Sequence, residues 1–301
     1  MLMRVACVLA LAAPLTAQAP GLAPEHFTVT VGHEPLAVWA RRPAHPKGTI
    51  LLVHGRTWSA LPDFDLQVPG ESRSVLSNLA ARGYAAYAVD LRGYGGSPRD
   101  ASGWDTPDQS RDDVAAVLRW MAQTEPMSAR PVLLGWSNGS MVSQLVAERY
   151  PQLISALILY GYPFAVGEHI TVDAPGPLPA REATTDSGAR SDFLEPAVTS
   201  KRMVDAYSRA ALRSDPVRTD WRGALQWNAL NPAQVRVPTL LLQGEHDPSL
   251  PDSTLARFFS HLGTADKQRV TLLGGDHASL LEDTRPAFID AVVAFIERRH
   301  H

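Results

Sequence analysis

Only one cysteine occurs in the 301 residues, Cys7. Beyond it there is no thiol for a disulfide, a thiolate metal site or a cysteine nucleophile. An excess of one charge is lacking too: 28 Lys and Arg stand against 31 Asp and Glu, a formal charge of −3. No basic field favours nucleic acid or an anionic membrane, so neither is an expected partner. No apolar run is long enough to span a bilayer, and no repeat of 20–50 residues appears. The histidines, His54, His246 and His277 among them, show neither H-x-x-x-H nor H-x-H spacing, so no metal and no other cofactor is expected. The remainder is 45% apolar and 20% charged, ordinary for a soluble protein with one large core or two small ones.

The N-terminus differs from the rest of the chain. Met1 to Arg4 is short and basic, Ala6 to Leu15 is apolar, and Ala17-Gln18-Ala19 is a small-residue cleavage site. That order describes a signal peptide over residues 1–19 and predicts export, to a periplasm or to the medium.

From residue 27 the patterns of strand and helix alternate. Strands are expected at 27–31, 36–40, 49–53, 84–89, 131–134, 154–160, 237–242 and 268–273. Helices are expected at 74–82, 110–123, 139–150, 251–262 and 283–298. Short apolar runs such as 49–53 belong to strands covered on both faces. The predicted fold is therefore α/β, with a mostly parallel central sheet flanked by helices. The rhythm stops between residues 162 and 233, where only helical stretches near 193–213 and 218–229 are expected. This gives a core of residues 24–161 and 234–299 and a cap inserted over 162–233. Trp221 and Trp227 predict that part of the cap packs.

Gly135-Trp136-Ser137-Asn138-Gly139 is G-x-S-x-G between an expected strand and an expected helix. A sharp turn there exposes the serine, and small flanking residues let strand and helix approach. A serine hydroxyl needs a base, and the base needs a carboxylate to orient it. Asp247 follows the strand at 237–242 and His277 follows the next one, so the candidate catalytic set is Ser137, Asp247 and His277. Glu245, His246, Asp252 and Asp276 are neighbouring rivals, and Glu168 is an alternative acid after the strand that follows the nucleophile helix. Two backbone N–H groups should bind the oxyanion, from Asn138 and from Arg56 in the turn after residues 49–53. His54 is read as a structural histidine. The Arg56 side chain could instead touch an anionic substrate, an idea resting on charge and position alone. Trp58, Trp136, Tyr162, Phe164 and Trp227 are candidate substrate-lining residues, with core packing as their alternative role.

Five stretches in order carry a resemblance: residues 52–55 with His54-Gly55, residues 90–97, residues 135–139, residues 244–247, and Asp276-His277. The chain resembles the α/β-hydrolase fold superfamily, in its serine hydrolase or esterase-like branch with a cap insertion. That resemblance implies hydrolysis of a carboxylic ester or lactone of a small-molecule substrate through an acyl-enzyme. The Ser137 nucleophile departs from haloalkane dehalogenases and epoxide hydrolases, which use Asp there. Amide or peptide hydrolysis, C–C bond hydrolysis and acyl transfer stay open within the fold, as does a non-catalytic ligand-binding homologue. No feature encodes an oligomer interface.

Overall fold

The computed structural model describes residues 23–124 and 130–298; the expected signal peptide lies outside them. Ten strands and eight α-helices occur among these described residues. They run β1 (Glu25–Val31), β2 (Glu34–Arg41), β3 (Gly48–Val53), α1 (Ala60–Phe64), α2 (Val75–Ala81), β4 (Tyr84–Val89), β5 (Trp104–Asp105), α3 (Pro107–Thr124), β6 (Val132–Trp136), α4 (Asn138–Arg149) and β7 (Ala156–Tyr160). Then come α5 (Asp186–Arg190), α6 (Lys201–Ser214), β8 (Asp220–Trp221), β9 (Thr239–Gly244), α7 (Asp252–His261), β10 (Lys267–Leu272) and α8 (Arg285–Glu297).

Eight strands form one sheet in the order β1-β2-β4-β3-β6-β7-β9-β10. The β1–β2 hairpin and the β2–β4 pair are antiparallel; the other pairs are parallel. Helices cover both faces. Ile50 and Leu52 face a cluster completed by Leu76 and Leu79 of α2, Tyr207 of α6 and Phe288 of α8. Leu51 and Val53 face the opposite cluster, with Val114 of α3, Val142 of α4 and Phe258 of α7. This two-sided burial is why the inner strands are continuously apolar. Leu51 and Leu52 are fully buried, so truncating either to Ala should cost about 2–5 kcal/mol.

The segment between β7 and β9 departs from the expected helices in two places. The helix expected near 193–213 starts only at Lys201, as α6; α5 lies before that stretch, and residues 191–200 are irregular. Pro196 lacks an N–H donor, and the Leu194 and Glu195 N–H groups are bound by Asp276 instead of by a helix. The helix expected over 218–229 is replaced by β8, which pairs in parallel with β5, and a 3₁₀ turn at Ala224–Ala229. Gly223, at φ 71°, breaks it. Trp221 and Trp227 do pack, stacked with ring centroids 5.9 Å apart.

Parallel strands bring the C-terminal ends of β3, β6, β9 and β10 to one edge. Residues 54–58, Ser137, Asp247 and His277 all leave the sheet there.

Candidate active site

Ser137 sits between the last residue of β6 and the first of α4, at φ 54° and ψ −121°. A non-glycine residue in this region is strained, and the surroundings must hold it. A Cβ on Gly135 would run into the Gly139 carbonyl, and one on Gly139 into the Val53 and His54 carbonyls. The two flanking glycines are therefore required by contact. The Ser137 N–H donates to Tyr160 O at 2.9 Å, and its carbonyl accepts from the Ser140 N–H and hydroxyl.

The structure brings His277 and Asp247 into contact. Asp247 Oδ2 lies 2.9 Å from His277 Nδ1. With the carboxylate on Nδ1, the proton of the neutral ring sits there and Nε2 is free to act as base. Ser249 is a residue that sequence reasoning missed. Its hydroxyl lies 3.0 Å from His277 Nδ1, and its N–H donates to Asp247 Oδ1 at 2.9 Å. Gly161 backs the pair: a Cβ there would lie 2.8 Å from His277 Cε1 and 3.2 Å from Asp247 Oδ2. Trp136 holds the histidine loop by donating its Nε1–H to His277 O at 2.9 Å. Ser137 Oγ makes no hydrogen bond to His277 among the described residues; in unliganded sites such contacts often tighten only with substrate.

The rivals have other partners. Asp276 is fully buried and its Oδ2 accepts the Leu194 and Glu195 N–H groups at 2.5 and 2.8 Å, tying the inserted segment to the histidine loop. His246 pairs with Glu195 at 2.8 Å, Glu245 accepts from the Gly274 N–H, and Asp252 pairs with Arg269. Glu168 is exposed and accepts only from the Ala165 N–H in its own turn. His54 is fully buried, with Nδ1 on Gly55 O at 2.8 Å and Nε2 accepting the Leu91 N–H at 3.0 Å. Burial pushes its pKa down to about 4, so it is a neutral structural bridge.

Carboxylates surround the imidazole. Burial alone would raise Asp247, but the hydrogen bond and charge of His277, with the Ser249 contacts, hold it below its ordinary value. Burial alone would lower His277, but Asp247, joined by the charges of Asp192 and Asp276, sets it above its ordinary value. Asp192, from the inserted segment, is itself pushed up to about 6 by burial, with Trp58 and Tyr207 as polar neighbours.

On the other flank, a Cβ on Gly55 would lie 3.2 Å from Ser137 Cβ, so the turn after β3 passes directly beside the nucleophile candidate. The Arg56 and Asn138 backbone N–H groups have no protein acceptor among the described residues. The turn is braced from the inserted segment: the Tyr207 hydroxyl donates to buried Asp63 at 2.9 Å, and Asp63 also accepts the Gly55 N–H.

The five aromatic candidates are not brought together. Trp136 and Trp58 stand at the site, beside His277 and Asp192. Tyr162 and Phe164 belong to the core cluster on the other face with Phe258, where they line a separate cavity of about 170 Å³. Trp227 stacks on Trp221.

The model of the family described as serine aminopeptidase, S33, matches residues 44–284. The chain belongs to this family, a branch of the α/β-hydrolases. The AB hydrolase superfamily protein YisY of Bacillus subtilis is 27% identical over 201 residues, covering 58% of this chain and 69% of that protein. The biotin biosynthesis bifunctional protein BioHC of Teredinibacter turnerae is 25% identical over 201 residues, 62% of this chain and 31% of that protein. This chain therefore spans about a third of that relative's length. The solved esterase RhEst1 from Rhodococcus shares the fold, with a TM-score of 0.65, 21% identity, and coverage of 92% of this chain and 99% of its own. Among the described residues of this S33-family hydrolase, no helix is long and apolar enough to cross a membrane.

Proposed function

We propose that this S33-family chain is an exported serine hydrolase that cleaves carboxylic esters, lactones included, through an acyl-enzyme. The observation that carries the reading is the Asp247–His277 contact, which leaves Nε2 free at the same sheet edge where Ser137 is held on a strained turn. Ser137 Oγ attacks the carbonyl carbon while His277 Nε2 takes its proton. Asp247 fixes the tautomer and stabilises the imidazolium. The Arg56 and Asn138 N–H groups bind the oxyanion. The same proton passes to the leaving alcohol as the tetrahedral adduct collapses. Water, deprotonated by His277, then attacks the acyl-enzyme and frees the acid and Ser137.

Residues 162–233 act as a cap in this reading, and Asp276 and Asp63 are its docking points. Amide cleavage at a peptide N-terminus is the second reading, favoured by the description of the matched family. Both use the same machinery and differ in the leaving group.

Turnover of p-nitrophenyl esters from acetate to palmitate, measured beside aminoacyl p-nitroanilides, tests the choice. Ester turnover lost in Ser137→Ala supports the first reading. Activity confined to anilides moves the assignment to the second. Ester turnover retained in full by Ser137→Ala contradicts the mechanism. Export is tested separately by fractionating cells that express residues 1–301: the processed chain belongs outside the cytoplasm.

A further inference from the structure

Two arginines stand near the oxyanion turn with one carboxylate, Asp220, facing them. Arg56 follows Gly55, whose backbone touches Ser137. Its guanidinium makes no hydrogen bond and no ion pair among the described residues, and the charges facing it are Arg218 and Asp220, with the Tyr94 hydroxyl. Asp220 is partly engaged, since its Oδ2 accepts the Arg181 N–H at 3.0 Å. The Arg218 side chain also makes no hydrogen bond or ion pair among the described residues, and its backbone is held in place. The Thr219 hydroxyl donates to Gly93 O at 2.6 Å, Arg99 donates to the Val217 and Arg218 carbonyls, and the Trp221 Nε1–H donates to the Tyr94 hydroxyl at 2.8 Å. These contacts fix the strand-like segment 217–221 above the 93–94 turn, which puts two like charges together.

Arg56 is solvent-exposed, yet burial is the leading influence on its guanidinium and lowers its pKa. The guanidinium therefore reaches water while its stem runs along protein, which leaves the charge open to a group that approaches from solvent. A further donor lies one residue from the nucleophile candidate: Asn138 Nδ2 is buried and has no acceptor. Buried donors are normally satisfied, so this one stands next to the nucleophile candidate without the acceptor that burial calls for. Carboxylates crowd the histidine, whereas the oxyanion turn carries the Arg56 guanidinium, with Arg218 facing it, and the unpaired Asn138 donor.

We propose that Arg56, with Arg218 beside it, recognises an anionic group on the substrate, so that the ester cleaved at Ser137 carries a carboxylate. This rests on the reading of Ser137 as the acylated nucleophile. The guanidinium pairs with the carboxylate by charge-assisted hydrogen bonds, and Arg218 adds field. The group takes no part in bond making; it sets which ester is held.

The test compares carboxylate-bearing esters with neutral isosteres of equal size. One arm puts the charge on the acyl chain, as mono-p-nitrophenyl glutarate against p-nitrophenyl 5-oxohexanoate. The other puts it on the leaving group, as 4-carboxyphenyl against 4-acetylphenyl butyrate. The wild type is expected to prefer the charged member of one arm by about tenfold or more in kcat/KM at low salt, with the preference shrinking as salt rises. Arg56→Gln should bring that ratio to about one, Arg56→Lys should keep part of it, and Arg218→Gln should reduce it less.

Equal turnover of charged and neutral esters by the wild type overturns the proposal. So does a ratio unchanged in Arg56→Gln, even where both rates fall, because that assigns Arg56 to shaping the turn alone. Labelling of Ser137 by a fluorophosphonate separates the two levels. A labelled enzyme with no charge preference sinks this inference only. An unlabelled, inactive one sinks the serine-hydrolase reading and this inference with it.

Discussion

Ser249 Oγ stands 3.0 Å from His277 Nδ1, next to the 2.9 Å contact of the same nitrogen with Asp247 Oδ2. The hydroxyl accepts from the ring N–H and can give its own proton to the Asp247 carboxylate, closing a triangle that holds carboxylate and imidazole in one plane of contacts. Ser249→Ala keeps both charged partners and removes only this brace. Its kcat for an ester substrate is expected to fall about tenfold with little change in KM, and Ser249→Thr should recover most of the loss. Steady-state kinetics on the three proteins check this, and an unaltered kcat in Ser249→Ala assigns the hydroxyl no part in positioning.

The pH profile is set by the charges around His277. Burial works against its protonation, but Asp247, Asp192 and Asp276 together raise its pKa above the ordinary 6.5. The base must be neutral to act, so activity is lost as pH falls through a midpoint above 6.5 and is full well above it. Asp192→Asn removes one of the negative charges that stabilise the imidazolium. The acidic limb of kcat/KM should therefore move to lower pH. A midpoint that stays in place, or moves up, shows that Asp192 does not act on the histidine.

Gly161 is required for two reasons at once. Its φ of 58° disfavours any side chain, and a Cβ would meet the His277 ring 2.8 Å away. Gly161→Ala is expected to fold, seen as an unchanged far-ultraviolet circular dichroism spectrum, while kcat drops by about a hundredfold or more as the imidazole is displaced. Near-normal kcat in the folded variant would mean that the histidine tolerates the shift.

Much of the fold and site was legible in the sequence for identifiable physical reasons. The inner strands read as continuous apolar runs because both faces are covered, as Leu51 and Leu52 show by facing opposite clusters. The candidates Ser137 and Asp247 were readable because each stands just past an apolar strand, and His277 because it follows the next strand, β10; parallel strands carry all such positions to one edge. Ser249 was not, because a serine two residues after an aspartate reads as an ordinary turn. The Tyr207–Asp63 bond joins residues 144 apart in sequence, and no periodicity reports such a pair. The inserted segment misled for a related reason. Its helical composition over 193–213 gave way where Asp276, from another loop, took the Leu194 and Glu195 N–H groups. The aromatics were ambiguous by nature, since Tyr162 and Trp136 look alike in sequence and end on opposite faces of the sheet.

The central claim is that Ser137 is the nucleophile, and covalent labelling tests it most directly. The purified protein is incubated with an alkyl fluorophosphonate, digested, and mapped by mass spectrometry, with Ser137→Ala alongside. The account predicts one phosphonyl adduct, on Ser137, in the wild type and none in the variant. A folded wild-type protein that takes no label, or takes it on another residue, would contradict the account.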